Sequence, residues 1–204
     1  DASIVLDWLP PGYDPLLYFH QPALYLCDIS FIGHLSHPWN EAEKQRIIFS
    51  DSRNKISFGS LVENLEHLVL HTDLTGFNED DFIDLAFSNI PEIIRSQIHL
   101  DPTTQYDLGC RAILRMAFRH RLLELAVESS ESVRFYGPGG WKFWPRFQRF
   151  YFSTLTNPAD LRAVYQSSRI NLHEGVGIHF RTLDCMASGG LLFSMRRLGG
   201  WRCC

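Results

Sequence analysis

The chain has 204 residues, a formal net charge of −4 and 45% hydrophobic residues. That composition supplies one sizeable core, or one domain with an appendage. It lacks the clustered basic face of a nucleic-acid binder, and no apolar run approaches the ~20 residues of a membrane span. No charged-then-apolar leader opens the sequence. Five scattered cysteines without a C-x-x-C pair read as reduced thiols of a cytoplasmic protein. The chain opens on Asp1 and closes on RRLGGWRCC, so a piece of a longer protein is expected.

In chain order, Trp8–Asp14 (WLPPGYD) holds two prolines and a glycine and predicts an extended connector, taken here as residues 1–23. Leu24–Ile32 is apolar nearly throughout and ends at Gly33, as expected for a strand covered on both faces. Partial three-to-four spacing of apolar residues predicts helices over Glu41–Phe49, Leu61–Leu70, Asp80–Phe87 and Pro91–Ile98, a helical insertion of about residues 40–100. Arg111–Val127 is the clearest helix, with Leu114, Ala117, Phe118, Leu122 and Leu125 on one side. Strand two is Val133–Tyr136, closed by GPGG, and strand three covers Phe150–Thr154. Asn157-Pro158 starts a helix, since Asn caps free amides and Pro suits the first helical position. Strand four is Arg169–Leu172. A glycine-broken loop follows, then a helix from Phe180 to Ser188, a stop at Gly189-Gly190, and strand five, Leu191–Ser194.

Short apolar strands alternating with helices predict an α/β fold with a Rossmann-like parallel sheet of about five strands. The doubly-wound order would be 3-2-1-4-5, reversing between strands one and four. Ligands bind at such a reversal, outside the carboxyl ends of the strands. Topology therefore places Gly33, His34 and residues 173–177 at one mouth.

The segments YLCDISFIG, VRFYGPGGW and LRAVYQSSRINLHEGVGIHFRTLDCMASGGLL, with the opening WLPPGYDPLLYFH, resemble the spore-maturation (CgeB-like) glycosyltransferases. Those are relatives of the family 4 enzymes with the two-domain GT-B fold. The likeness covers roughly residues 8–33 and 131–194. It implies that residues 24–204 form the carboxyl-terminal, nucleotide-sugar-binding half of a GT-B fold. A missing amino-terminal domain would supply much of the acceptor site. The family often brackets a G-x-G-type loop with two acids. By similarity Glu174 takes the first position, near the donor sugar, and Asp184 the second, on the ribose hydroxyls. The sequence departs from the family 4 pattern in having Asp as the second acid and ten positions of spacing, two more than usual. Arg181, in an R-x-x-[DE] position, follows the spore-maturation pattern.

These residue types suit the chemistry. Gly175, Val176 and Gly177 let backbone approach a diphosphate, and a helix beginning near His179 aims its positive end there. Arg181 can grip phosphate in two prongs, and the Asp184 carboxylate can accept two hydrogen bonds from a ribose diol. Glu174 can oppose the positive charge that develops on a donor sugar, and His173 and His179, which flank the same loop, can each donate to phosphate oxygens. Gly33, His34 and Gly137 are candidates for donor contact through backbone. Each has a plainer alternative: a tight loop, a salt bridge between Arg181 and Asp184, or an ordinary strand end. The donor is a nucleotide-diphosphate sugar, the acceptor is unspecified, and neither cofactor nor metal is expected. Two rival functions stay open. One is a non-catalytic nucleotide- or sugar-binding module. The other is a helical metal-binding protein using His67 and His71, which share a helix face with Glu63.

Overall fold

The computed structural model describes residues 12–71, 79–174 and 180–194. The chain enters through a turn at Asp14–Tyr18 and an extended stretch, then forms β1 (Cys27–Ile32). An insertion follows: α1 (Glu41–Lys44), β2 (Ile47–Ser50), β3 (Lys55–Ser57), α2 (Phe58–His71), α3 (Glu79–Ala86), α4 (Glu92–Arg95) and α5 (Pro102–Tyr106). A π-wound segment, Asp107–Phe118, runs directly into α6 (Arg119–Ser129). Then come β4 (Val133–Tyr136), a 3-10 turn at Gly139–Phe143, α7 (Pro145–Gln148), β5 (Tyr151–Ser153) and α8 (Pro158–Ser167). The described chain closes with β6 (Ser168–His173), α9 (Phe180–Ala187) and β7 (Leu192–Ser194).

The main sheet has five strands in the order β5-β4-β1-β6-β7, all parallel. This is the expected 3-2-1-4-5 order, with β1 at the centre. In register, Ile29 lies opposite Val133 on one side and Ile170 on the other. The strand bounds are tighter than the apolar runs. Leu24, Tyr25 and Leu26 are 87%, 61% and 58% exposed and stand outside the sheet, so hydrophobicity alone overextends β1. Asn157 caps α8 as its sequence predicts, its Oδ1 accepting from Asp160 N at 2.9 Å, with Pro158 at the first helical position.

The insertion is not all helix. Asn40 and Glu43 form a capping box that starts α1, but the helix ends at Gln45. The β-branched pair Ile47-Ile48 then joins an antiparallel hairpin with β3. Asp51 makes the turn, accepting from the amides of Arg53 and Asn54 at 2.6 Å each. The helix expected over Glu41–Phe49 is therefore half helix, half strand. The helix expected over Arg111–Val127 is likewise two windings, and Leu125 on its anticipated apolar side is 52% exposed.

This one continuous element serves two cores. Leu108, Ala112 and Met116 of the π-wound segment pack with Trp39, Phe58, Leu61, Val62 and Leu65 of the insertion. Leu122, Leu123 and Ala126 of α6 pack on the sheet with Ile29, Phe31, Val133, Phe135, Trp141 and Phe147. Phe135 is central there, stacked on Trp141 at 5.0 Å between ring centroids and edge-on to Phe31 and Phe147. The opposite sheet face is covered by α8, α9 and the connector through Tyr18, Tyr165 and Cys185, with Ile32, Leu161 and Leu192 alongside. Arg162 and Gln166 of α8 hold the connector by its carbonyls, at Leu17 (2.9 Å) and Phe19 (2.7 Å).

Candidate functional site

The carboxyl ends of β1 and β6 lie side by side, and the polar groups of the site gather there. Beneath them the two strands are locked by buried side chains. Ser30 donates to Asn171 Oδ1 at 2.8 Å, and Asn171 Nδ2 donates to the Tyr165 carbonyl at 3.1 Å. This fixes the spacing of the strand ends that carry Gly33, His34, His173 and Glu174.

Gly33 and Gly137 are both buried and pack against each other at the ends of β1 and β4. Gly137 has φ +140°, and a Cβ there would fall on the Gly33 carbonyl oxygen. Its glycine is thus required by close backbone approach. Gly33 N donates to the Tyr136 carbonyl at 2.8 Å.

Arg119, the first residue of α6, joins the two sides of the crevice. Its guanidinium donates to the His34 carbonyl and also pairs with the Glu174 carboxylate. Burial would raise the Glu174 carboxyl, but Arg119, supported by His173, outweighs it and holds the group below the usual carboxylate range. Glu174 is therefore an anion at neutral pH. Arg119 carries no local sequence signal. It lies within a basic run, RHR, that reads as a solvated helix face, and only the fold brings it to a loop 55 residues away.

Arg181 of α9 donates to the Ile32 carbonyl at 3.1 Å, directly beside Gly33. With His173, Asn171, Tyr165 and Ile32 it lines a cleft of about 10 Å³, the room of one water molecule. Asp184, one turn further on along α9, lies against the connector. It is 8% exposed and takes a hydrogen bond from Tyr18 of the connector. Burial raises its carboxyl above the ordinary range, and Arg181 and Tyr18 offset only part of that. Burial, with Asp184 adding, also pushes the neighbouring Cys185 thiol up to about 12.

The structure thus brings Gly33, His34, His173, Glu174 and Arg181 to one mouth. It sets Gly137 behind Gly33, and Asp184 beneath Arg181 against Tyr18. Gly175, Val176, Gly177 and His179 lie outside the described residues, as does the side chain of His71. Tyr18 is a second residue that sequence reasoning passed over, although an aromatic in the apolar run PLLYF is a fair sign of an anchored connector. Among the described residues, no group of three or more His, Cys, Asp or Glu side chains gathers as a metal-ligand set. No helix among them is long and apolar enough to cross a membrane.

The fold is a doubly-wound α/β sheet with an acid and two arginines at its reversal point. A glycosyl transferase-like family model matches residues 112–202, a span that holds β4 to β7, Arg119, Glu174 and Arg181. The match supports a glycosyltransferase family and a role in glycosyl transfer in general. No curated protein and no solved structure matches the chain.

Proposed function

We propose that the chain is the donor-binding part of a GT-B-type glycosyltransferase of the spore-maturation kind. It holds a nucleotide-diphosphate sugar across the ends of β1 and β6 and acts in the cytoplasm with an amino-terminal domain that contributes to the acceptor site. The observation that carries this reading is the convergence of Glu174, His34 and Arg181 at the sheet's reversal, with Glu174 and Arg181 inside the glycosyl transferase-like span.

In this reading Arg181 leaves the Ile32 carbonyl to grip the diphosphate. The described cleft is too small for a diphosphate, so entry requires that exchange. Glu174, kept ionised by Arg119, faces the anomeric carbon of the donor and opposes the positive charge that grows there. His173 donates to a phosphate oxygen. Asp184 exchanges Tyr18 for the ribose diol. The leaving diphosphate is neutralised by Arg181 and the amino end of α9.

A thermal-shift screen of uridine, guanosine, adenosine and thymidine diphosphates tests this. One of them, at a hundred times its dissociation constant, stabilises the chain by ~2.7 kcal/mol. Measured against its own ligand-free baseline, Arg181→Ala loses most of that gain. An undiminished shift in Arg181→Ala refutes the site assignment.

A further inference from the structure

We propose that the cavity lined by residues of α2, α6, α7 and the Pro38–Trp39 segment is a pocket for an uncharged sugar ring, the acceptor of the transfer. The acceptor role rests on the glycosyl-transfer reading above; the pocket itself rests on four observations.

The first is room. The cavity measures about 400 Å³, against about 10 Å³ in the crevice between β1 and β6. Small-molecule sites begin at roughly 300 Å³.

The second is the mixed character of the walls. Val62, Met116 and the Trp144 indole supply apolar surface, while Glu63, Glu66 and Lys44 stand near the opening. Trp144 is fixed in place, its Nε1 donating to the Ser36 carbonyl at 2.9 Å. An apolar face edged by carboxylates matches a sugar ring, whose C–H face is apolar and whose rim is hydroxyl.

The third is unspent hydrogen-bonding capacity. His120 is 8% exposed, with Nδ1 at 3.0 Å from Arg146 Nη2. A guanidinium only donates, so Nδ1 accepts and Nε2 carries the proton. That Nε2–H has no partner, and neither has the buried Nε1–H of Trp39. Both atoms are sealed from solvent, so they lie behind the cavity surface and are not open to a ligand. Glu63 and Glu66 are acceptors with no ion pair or hydrogen bond among the described residues. A ligand that satisfies these two carboxylates must donate, as hydroxyl groups do.

The fourth is charge. Arg146 is already paired with Glu124, which leaves Lys44 facing Glu63 and Glu66. A phosphorylated or carboxylate ligand would meet a net negative wall.

Position links the pocket to the crevice. The loop that leaves β1 at Gly33-His34 lines the cavity at Pro38-Trp39. The helix whose Arg119 holds His34 and Glu174 presents His120 to the cavity with its next residue.

Saturation-transfer NMR with maltose, cellobiose, lactose and chitobiose tests the pocket on the whole chain, without any transfer assay. At least one binds at millimolar concentration. The paired substitution Glu63→Ala/Glu66→Ala, at exposed positions, weakens it about tenfold or more. The same variant keeps its nucleoside-diphosphate thermal shift. Three results overturn the proposal: no saccharide binding by the parent, equal binding by the correctly folded variant, or preference for a sugar phosphate over the neutral sugar. If the diphosphates stabilise the parent while saccharides fail, the pocket falls and the donor site stands. If a saccharide binds through Glu63 and Glu66 while no diphosphate does, the acceptor role is overturned along with the donor reading.

Discussion

The crevice at the sheet and the cavity under the insertion are built on opposite plans. In the crevice every principal side chain is spoken for: Arg119 by His34 and Glu174, Arg181 by Ile32, Asp184 by Tyr18. In the cavity the Glu63 and Glu66 carboxylates have no hydrogen bond or ion pair among the described residues, and about 400 Å³ is left open. A site that closes on itself when empty has to exchange internal bonds for ligand bonds, which lowers affinity but keeps its charges oriented. A site left open is already shaped for its ligand, at the cost of unsatisfied polar groups. Breaking the Arg119–Glu174 pair at the crevice should therefore cost stability, whereas removing the open carboxylates of the cavity should act on binding.

The largest effect sets the baseline of the sheet that carries the crevice. Phe135→Ala removes the ring that packs against Phe31, Trp141, Phe147 and Phe150, and should cost about 3–5 kcal/mol in urea unfolding. A loss below about 1 kcal/mol would mean that the sheet core is not the chief source of stability.

Next comes Arg119→Ala, which leaves the Glu174 carboxylate without its cation. Glu174 retains some solvent contact, its side chain being 21% exposed, so the expected loss is about 2–3 kcal/mol, under the full cost of a wholly buried pair. Because the folded-state carboxyl of Glu174 is held low, the pair's contribution is present above the ordinary carboxylate pKa. It fades as pH falls through the lowered one. Wild type and Arg119→Ala should thus converge in stability in acid. A constant difference down to strong acid would argue against the pair.

At the cavity, burial, with Arg146 and Arg119 adding, lowers the His120 imidazole to about 3. The unfolded chain takes up this proton near pH 6.5 and the folded chain does not. Stability therefore falls as pH drops from about 6.5 toward 3, by up to about 1.4 kcal/mol per pH unit from this group. His120→Gln should flatten that part of the profile relative to wild type. Identical slopes would show that the imidazole is not held neutral.

The smallest change is Asp184→Asn. Burial disfavours the ionised carboxylate, and an amide oxygen still accepts from Tyr18, so stability should hold or rise by about 0.5–1 kcal/mol. Nucleotide affinity should fall if the ribose contact exists. Lost stability with unchanged affinity would make Asp184 a purely structural residue.

The sheet was legible because its signals are local. Apolar runs bounded by glycine mark strands, and Asn157-Pro158 marks a helix start whatever lies around it. The hairpin was also written in the sequence, as Ile47-Ile48 and Ile56 about the turn DSRN, but helical spacing in Glu41–Phe49 masked it. The π winding of Asp107–Phe118 was not legible in the apolar spacing of that segment. The site divides the same way. Glu174 and Arg181 stand out beside glycines on one short segment. Arg119 and Tyr18 become visible only when α6 and the connector are folded against that segment. The cavity has no contiguous signal, since its walls come from residues 38–66, 116–124 and 144–146.

Hydrogen exchange read by mass spectrometry, with and without the nucleoside diphosphate that stabilises the chain most, tests the central claim most directly. Slowed exchange at the ends of β1 and β6 and along α9, with α2 unchanged, is the predicted result. Protection confined to α2 and α6, or spread evenly over the chain, would contradict it.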